Sequence, residues 1–272
     1  MKSNKTNRVA RKSSTSQEVL RDKVAIVTGA ATGIGRAIAH AFAREGAAVV
    51  ADYVGNSDIV ESVCEEIRSF GGNAMSVPAD VSDPKEVQKL VMTACKAYGK
   101  LDILVNNAGI EQKMPFLEMP LDLYEKIMHV NLRGVWLCSQ FAGRKMVEQK
   151  NGGRIINISS IHEDITMPTN AAYCATKGGV RMLMRTIAVE LAAYNITVNN
   201  VAPGAIDTPM DAELKADPQQ YGSLLTQIPM RRMGKPEEVA AVCLFLASDA
   251  ASYVSGATYY VDGAMSLQSG SL

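Results

Sequence analysis

The run Asp22 to Thr28 is short, apolar and rich in β-branched residues. It breaks into the turn Gly29-Ala30-Ala31-Thr32-Gly33-Ile34-Gly35, and helical periodicity follows from Arg36 to Arg44. This order of strand, glycine-rich turn and helix constrains the fold more than any other stretch. A wholly apolar strand is buried on both faces, as in a parallel sheet covered by helices. The turn lets the backbone approach a pyrophosphate, and the helix N-terminus adds N–H groups and positive dipole. The spacing is GxxxGxG, so Gly29, Thr32, Gly33, Ile34 and Gly35 are the predicted phosphate cradle.

The alternation continues. Strands are predicted at Ala47–Tyr53, Asn73–Ala79, Leu101–Val105, Arg154–Ile158, Ile196–Val201 and Ala257–Val261, with helical segments between most of them. This pattern implies one α/β domain, a doubly wound parallel sheet of about seven strands with helices on both faces. Ligands then bind at the carboxyl ends of the strands. Several polar residues fall at such ends. Asp52 is placed to bond a ribose diol and repel a 2′-phosphate, and Asp80 is placed to meet an adenine amino group. Ser82 or Asp83 is expected to cap the helix starting at Pro84. Asn131 lies in one long helical region, Leu121 to about Gln149. Ser159 and Ser160 close the fifth strand.

Tyr173 and Lys177 are four residues apart on a predicted helix from Ala171 to about Ala193, which puts both on one face. A tyrosine titrates near about 10, and a neighbouring cation favours its phenolate. The pair is a candidate proton donor and acceptor.

Composition limits the function classes. Of 272 residues, 47% are hydrophobic, enough for a large core, and the formal net charge is +0. A neutral chain argues against nucleic acid or an anionic membrane as the main partner. Five scattered cysteines, never in CxxC spacing, fit free thiols in a reducing cytosol, and the three histidines lack metal-ligand spacing. The expectation is a cytoplasmic protein with no bound metal. Residues 1–20 read as a disordered tail, with Lys2, Lys5, Arg8, Arg11 and Lys12 and no acid among the first 17. A transit peptide is the lesser reading, because the stretch has almost no apolar face. Residues 21–272 form the domain, with a flexible substrate flap at about 207–235.

Together these motifs resemble the short-chain dehydrogenases/reductases. The segments Thr28–Gly35 (TGAATGIG), Asn106–Gly109 (NNAG), Asn131, Ile158–Ser160 (ISS), Tyr173–Lys177 (YCATK) and Pro203-Gly204 occur in that family's order from about Asp22 onward. The resemblance implies a Rossmann-type fold and hydride transfer between a nicotinamide cofactor and a CH–OH carbon. It implies Asn131, Ser160, Tyr173 and Lys177 as the catalytic set. Ser160 is preferred to Ser159 because it lies thirteen residues before Tyr173. Lys177 would hold the nicotinamide ribose, and Asn131 would position a water leading to it. Val81, Asn107, Ala108, Gly109, Pro203, Gly204 and Ile206 join the cofactor set. NAD is expected, with NADP as the alternative, because Val54 stands where a phosphate-binding cation would be. A homotetramer is the usual assembly.

The substrate loops Gly109-Ile110-Glu111 and Ser160-Ile161-His162-Glu163, with the run Pro203 to Pro209, resemble those of the family's glucose 1-dehydrogenases. That resemblance makes Glu111 and His162, beside Ser160 and Tyr173, the sugar-binding residues. Asp207 and Met167 depart from its usual Asn and aromatic. Another polyol, a hydroxysteroid or a 3-oxoacyl thioester therefore stays open, as does an inactive nucleotide-binding sensor.

Overall fold

The computed structural model describes residues 18–209 and 212–268. Strands β1 (Val24–Val27), β2 (Ala48–Tyr53), β3 (Asn73–Pro78), β4 (Ile103–Asn106), β5 (Gly153–Ile158), β6 (Ile196–Pro203) and β7 (Thr258–Val261) form one sheet. Their order is β3-β2-β1-β4-β5-β6-β7, and every neighbouring pair is parallel. Chain order reverses between β1 and β4, so the crevice for a ligand opens at their carboxyl ends. The Gly29 turn and the Asn106–Gly109 run meet there.

Helices α1 (Gly33–Arg44), α2 (Ser57–Ser69) and α9 (Pro236–Ala247) pack on one face. Helices α3 (Pro84–Tyr98), α5 (Gly134–Gln149) and α6 (Ala171–Leu191) pack on the other. Two hydrophobic clusters result. Ala25 and Val27 enter the first, and Ile26 between them enters the second. Alternating side chains point to opposite faces. This two-sided burial is why β1 is apolar at every position.

Local signals set the helix ends. Asn56 caps α2 by accepting from Asp58 N at 2.9 Å. Asp83 caps α3 by accepting from Lys85 N at 2.7 Å, with Pro84 at the first position and Gly99 closing the helix at φ 80°. Each such cap is worth about 1 kcal/mol.

The structure differs from the sequence reading in two places, the start of the domain and the long helical region. The domain starts earlier than residue 21: Leu20 is buried, and its N–H donates to Glu45 O at 2.8 Å. Of the tail expected over residues 1–20, residues 1–17 lie outside the described residues. The long helical region is α4 (Leu121–Met128), a π-helical turn at His129–Arg133, then α5. The flap carries α7 (Ala212–Ala216) and α8 (Pro218–Gln227), with residues 210 and 211 outside the described set. Among the described residues no helix is long and apolar enough to cross a membrane.

Candidate active site

The phosphate cradle is held by glycine geometry. Gly29 and Gly33 have φ of +62° and +54°. A Cβ on Gly35 would lie 2.3 Å from Gly29 O and 2.4 Å from Asn107 Nδ2, so no other residue fits there. Thr32 precedes α1 in extended conformation without a side-chain cap, and no acidic residue occupies the first helical turn. The first N–H groups of α1 thus face the crevice without an internal anion, which suits a pyrophosphate. Ile34 follows within the same first turn.

Thr28 and Asn107 join this turn to the end of β4. Thr28 Oγ1 accepts from Asn107 N at 2.9 Å and from Ala108 N at 3.0 Å. Asn107 Nδ2 donates back to Thr28 O at 2.9 Å and Gly29 O at 3.0 Å. Gly109 comes next: a Cβ there would stand 3.4 Å from Asn131 Oδ1.

Asp52 is buried at the end of β2, where its Oδ2 accepts from Gly29 N at 3.3 Å. Its Oδ1 is enclosed without a partner. Burial pushes its carboxyl up to about 7, against hydrogen bonds from the Gly29, Tyr53 and Ala79 backbone. Asp52 therefore braces the glycine turn from inside the protein. Asp80 is exposed at the end of β3 and accepts from Ser82 N and Oγ at 2.8 and 2.7 Å. Val81 beside it is buried. Across the crevice, Pro203 ends β6, Gly204 N donates to Val261 O at 3.0 Å, and Ile206 bridges to Gly234.

Ser160, Tyr173 and Lys177, the groups expected to handle the proton, converge at the end of β5. Ser160 is buried, bonds the Tyr173 hydroxyl, and accepts from His162 N at 3.2 Å. Lys177 is buried beneath them and donates from Nζ to Ile158 O at 2.9 Å. Its Nζ is 5.4 Å from the Tyr173 ring centre. Burial decides both titrations. It pushes the Tyr173 hydroxyl up to about 12, with the Ser160 bond pulling it down. It pushes Lys177 down to about 8, with Glu163 and then Glu111 pulling it up. The sequence reading had Lys177 lowering Tyr173. In the protein alone, desolvation of the phenolate is the larger effect.

Asn131 sits in the π-helical turn, a local distortion common at functional sites. It is buried, and its amide is committed to the loop after β4. Oδ1 accepts from Ile110 N and Nδ2 donates to Ile110 O, both at 2.8 Å. The residue expected to serve Lys177 through water thus pins the loop that carries Glu111.

Glu111 and His162 do lie by the pair. The His162 ring packs edge-on to Tyr173 with centroids 6.4 Å apart. Its Nδ1 is 3.2 Å from Ile165 O. A carbonyl only accepts, so Nδ1 carries the proton and Nε2 of the neutral ring is an acceptor. Burial lowers its pKa and favours that neutral form. Glu111 Oε1 accepts from Asn170 Nδ2 at 2.8 Å.

Asn170 is a residue that the sequence reading passed over. It is 1% exposed and its Oδ1 has no partner. Glu163 is another, together with the buried asparagines of the central strands. Asn106, Asn157 and Asn200 are register neighbours on β4, β5 and β6 and bond one another. An Asn inside an otherwise apolar strand was the available signal.

The family profile described as Enoyl-(Acyl carrier protein) reductase matches residues 29–266. Glucose 1-dehydrogenase 2 of Bacillus subtilis (strain 168) is 41% identical over 250 residues, covering 91% of this chain and 96% of that protein. 3beta-Hydroxysteroid dehydrogenase 1 of Eggerthella lenta is 43% identical over 251 residues, covering 92% and 96%. A solved structure from Beutenbergia cavernae, assigned as an NAD(P)-dependent gluconate 5-dehydrogenase with bound NADP at low occupancy, superposes with TM-score 0.86. It is 38% identical and covers 93% of this chain and 100% of that one. With the phosphate cradle and the Ser160-Tyr173-Lys177 cluster at one sheet edge, these matches identify the chain as a member of the short-chain dehydrogenase/reductase family, an NAD(P)-dependent oxidoreductase acting on CH–OH groups.

Proposed function

We propose that the protein is a glucose 1-dehydrogenase, oxidising β-D-glucose at C1 to the lactone with NAD as acceptor. The carrying observation is the placement of Glu111 and His162 beside Tyr173. A carboxylate and a neutral imidazole acceptor suit the hydroxyls of a polyol.

Bound NAD supplies the hydride acceptor and a positive ring charge that favours the Tyr173 phenolate. The chain's residues do the rest. Gly29, Thr32, Gly33, Ile34 and Gly35 would hold the pyrophosphate through backbone N–H groups. Asp52 would favour a free ribose diol over a 2′-phosphate, and Asp80 and Val81 would receive the adenine. Asn107, Ala108, Gly109, Pro203, Gly204 and Ile206 would receive the nicotinamide end. Tyr173 takes the proton of the substrate hydroxyl. Ser160 donates to the same oxygen and stabilises its developing charge. Lys177 holds the nicotinamide ribose and favours the phenolate. Asn131 fixes the Glu111 loop and supports a water toward Lys177.

Met167, half-buried beside Asn170, supports a second reading, a hydroxysteroid, because a thioether lines an apolar pocket better than a sugar site. Purified protein assayed with NAD and NADP against aldoses, hydroxysteroids, 3-oxoacyl thioesters and small ketones separates the readings. Turnover of glucose is expected; turnover of steroids without any aldose would overturn the first reading. The assembly is proposed to be a homotetramer, in keeping with exposed Trp136, Met182 and Val189 on α5 and α6. Light scattering that returns a monomer would contradict it.

A further inference from the structure

Asn170 stands at the N-cap of α6, three residues before Tyr173. Asparagine is favoured at such a position because its side-chain oxygen can accept from an N–H of the first turn. Asn56 does this on α2, and Asp83 does it on α3. Asn170 makes no such bond. Its Oδ1 is enclosed without a partner, while its Nδ2 donates to Glu111 Oε1 at 2.8 Å and lies 3.2 Å from Met167 Sδ. A carboxylate only accepts, which fixes the amide with its nitrogen toward Glu111. The residue thus forgoes a helix cap and leaves a buried carbonyl unsatisfied, and both cost stability.

The bond is not what holds the loop after β4. Asn131 grips Ile110 at both N and O, and Met114 N donates to Thr169 O at 2.7 Å. The backbone is therefore fastened on either side of Glu111. What the Asn170 amide adds is the setting of one side chain. With Oε1 occupied, Glu111 Oε2 has no hydrogen bond among the described residues and is not enclosed. Tyr173 lies one helical turn on from Asn170, on the same face of α6. The His162 ring, whose Nε2 is the acceptor, packs against Tyr173. Two acceptors are thus held close to the tyrosine.

We propose that Asn170 is a positioning residue that sets Glu111 with one oxygen free to accept from a second hydroxyl of the substrate, and so selects a polyol over a lone carbinol. The inference rests on the polyol reading above. A substrate with no hydroxyl besides the reacting one would displace water from Oε2 and give it no donor in return. A buried acceptor left unpaired in this way penalises the wrong substrate.

The test exchanges the two partners, with D-glucose as the probe or the polyol that the wild type turns over fastest. Asn170→Asp removes the donor and sets two carboxylates together; it is expected to raise KM about tenfold with a smaller change in kcat. Glu111→Gln keeps its bond to Asn170 through the amide oxygen but turns its NH2 toward the substrate, so KM is expected to rise there too. With both changes together, the new amide at position 111 can donate to the new carboxylate at position 170, and an acceptor oxygen again faces the substrate. KM is then expected to return to within about threefold of wild type. A purely structural role for Asn170 would lower the melting temperature and leave KM in place, or make the two changes in KM add; either result overturns the proposal. If Asn170→Asp does not fold, Asn170→Ala carries the test, and an unchanged KM there overturns it. Wild-type protein that turns over no polyol sinks the polyol reading and this one with it. Polyol turnover with additive changes in KM sinks only the role of Asn170.

Discussion

The Asn170 amide donates to the Glu111 carboxylate at 2.8 Å, tying the start of α6 to the loop after β4. The backbone repeats the tie nearby, where Met114 N donates to Thr169 O at 2.7 Å. The loop after β4 and the start of α6 are therefore joined by a buried amide and by the backbone. Replacing Asn170 by Ala should release Glu111. KM for the substrate should rise by about tenfold with a smaller change in kcat, since the lost bond orients binding and not proton transfer. Stability should fall by about 1–3 kcal/mol, because a buried donor is removed and a void is left. Steady-state kinetics with a melting curve would check both; an unchanged KM would detach Asn170 from substrate binding.

Ser160→Ala removes the hydroxyl that bonds Tyr173 and would donate to the reacting oxygen. Loss of one such donor lowers kcat by about 100- to 1000-fold. Because Ser160 also accepts from His162 N at 3.2 Å, the turn Ile161–Glu163 should loosen as well. Single-turnover rates at saturating substrate would isolate the chemical step, and a variant with near-wild-type rates would remove Ser160 from the mechanism.

Asp52 should make stability depend on pH in an unusual direction. Its folded value, pushed up to about 7, lies above the unfolded value of about 3.9. The folded protein therefore holds this proton more tightly than the unfolded chain. Stability is greatest below the unfolded value, falls as pH rises between the two, and levels off above the folded one. Asp52→Asn abolishes that penalty and can still accept from Gly29 N. It should gain about 1–3 kcal/mol relative to wild type at about pH 8 and much less at about pH 5. Denaturant unfolding at the two values would measure the difference; equal effects at both would refute it.

Gly35→Ala should abolish cofactor binding and cost several kcal/mol, about 3 or more, because its methyl would press on Gly29 O and Asn107 Nδ2 together. Isothermal titration with NAD is the direct measurement. Binding retained within about tenfold would mean that the turn relaxes more readily than its contacts suggest.

Much of this was legible in the chain itself. The central strands read as apolar runs because both sheet faces are covered there, so burial wrote itself into every position of β1 and β4. The cap at Asp83 is short-range, and Asp83 was one of the two residues, with Ser82, that the sequence offered. What escaped was long-range. Glu163 meets Thr258 across 95 residues, and Asn170 meets Glu111 across 59. No local pattern marks such pairs. The tie from the Asn131 amide to the Ile110 backbone was not legible, because nothing in the sequence announces the π-helical turn that carries it. The effect of Lys177 on Tyr173 was overstated because a sequence reveals neighbours but not how far water is excluded from them.

The asparagines of the central strands carry a final consequence. A carboxylate can only accept, so Asn200 must turn its nitrogen to Glu163 and its oxygen to Asn157. Asn157 then offers its own oxygen to Asn106, whose nitrogen also reaches Ser139. One buried carboxylate at the end of the row thus dictates the head-to-tail sense of every amide across three strands. Flipping Asn157 or Asn200 would set like against like at both of its neighbours. The row is an aligned string of dipoles with its negative ends all facing away from Glu163, a polarised wire laid through the middle of an otherwise oily sheet.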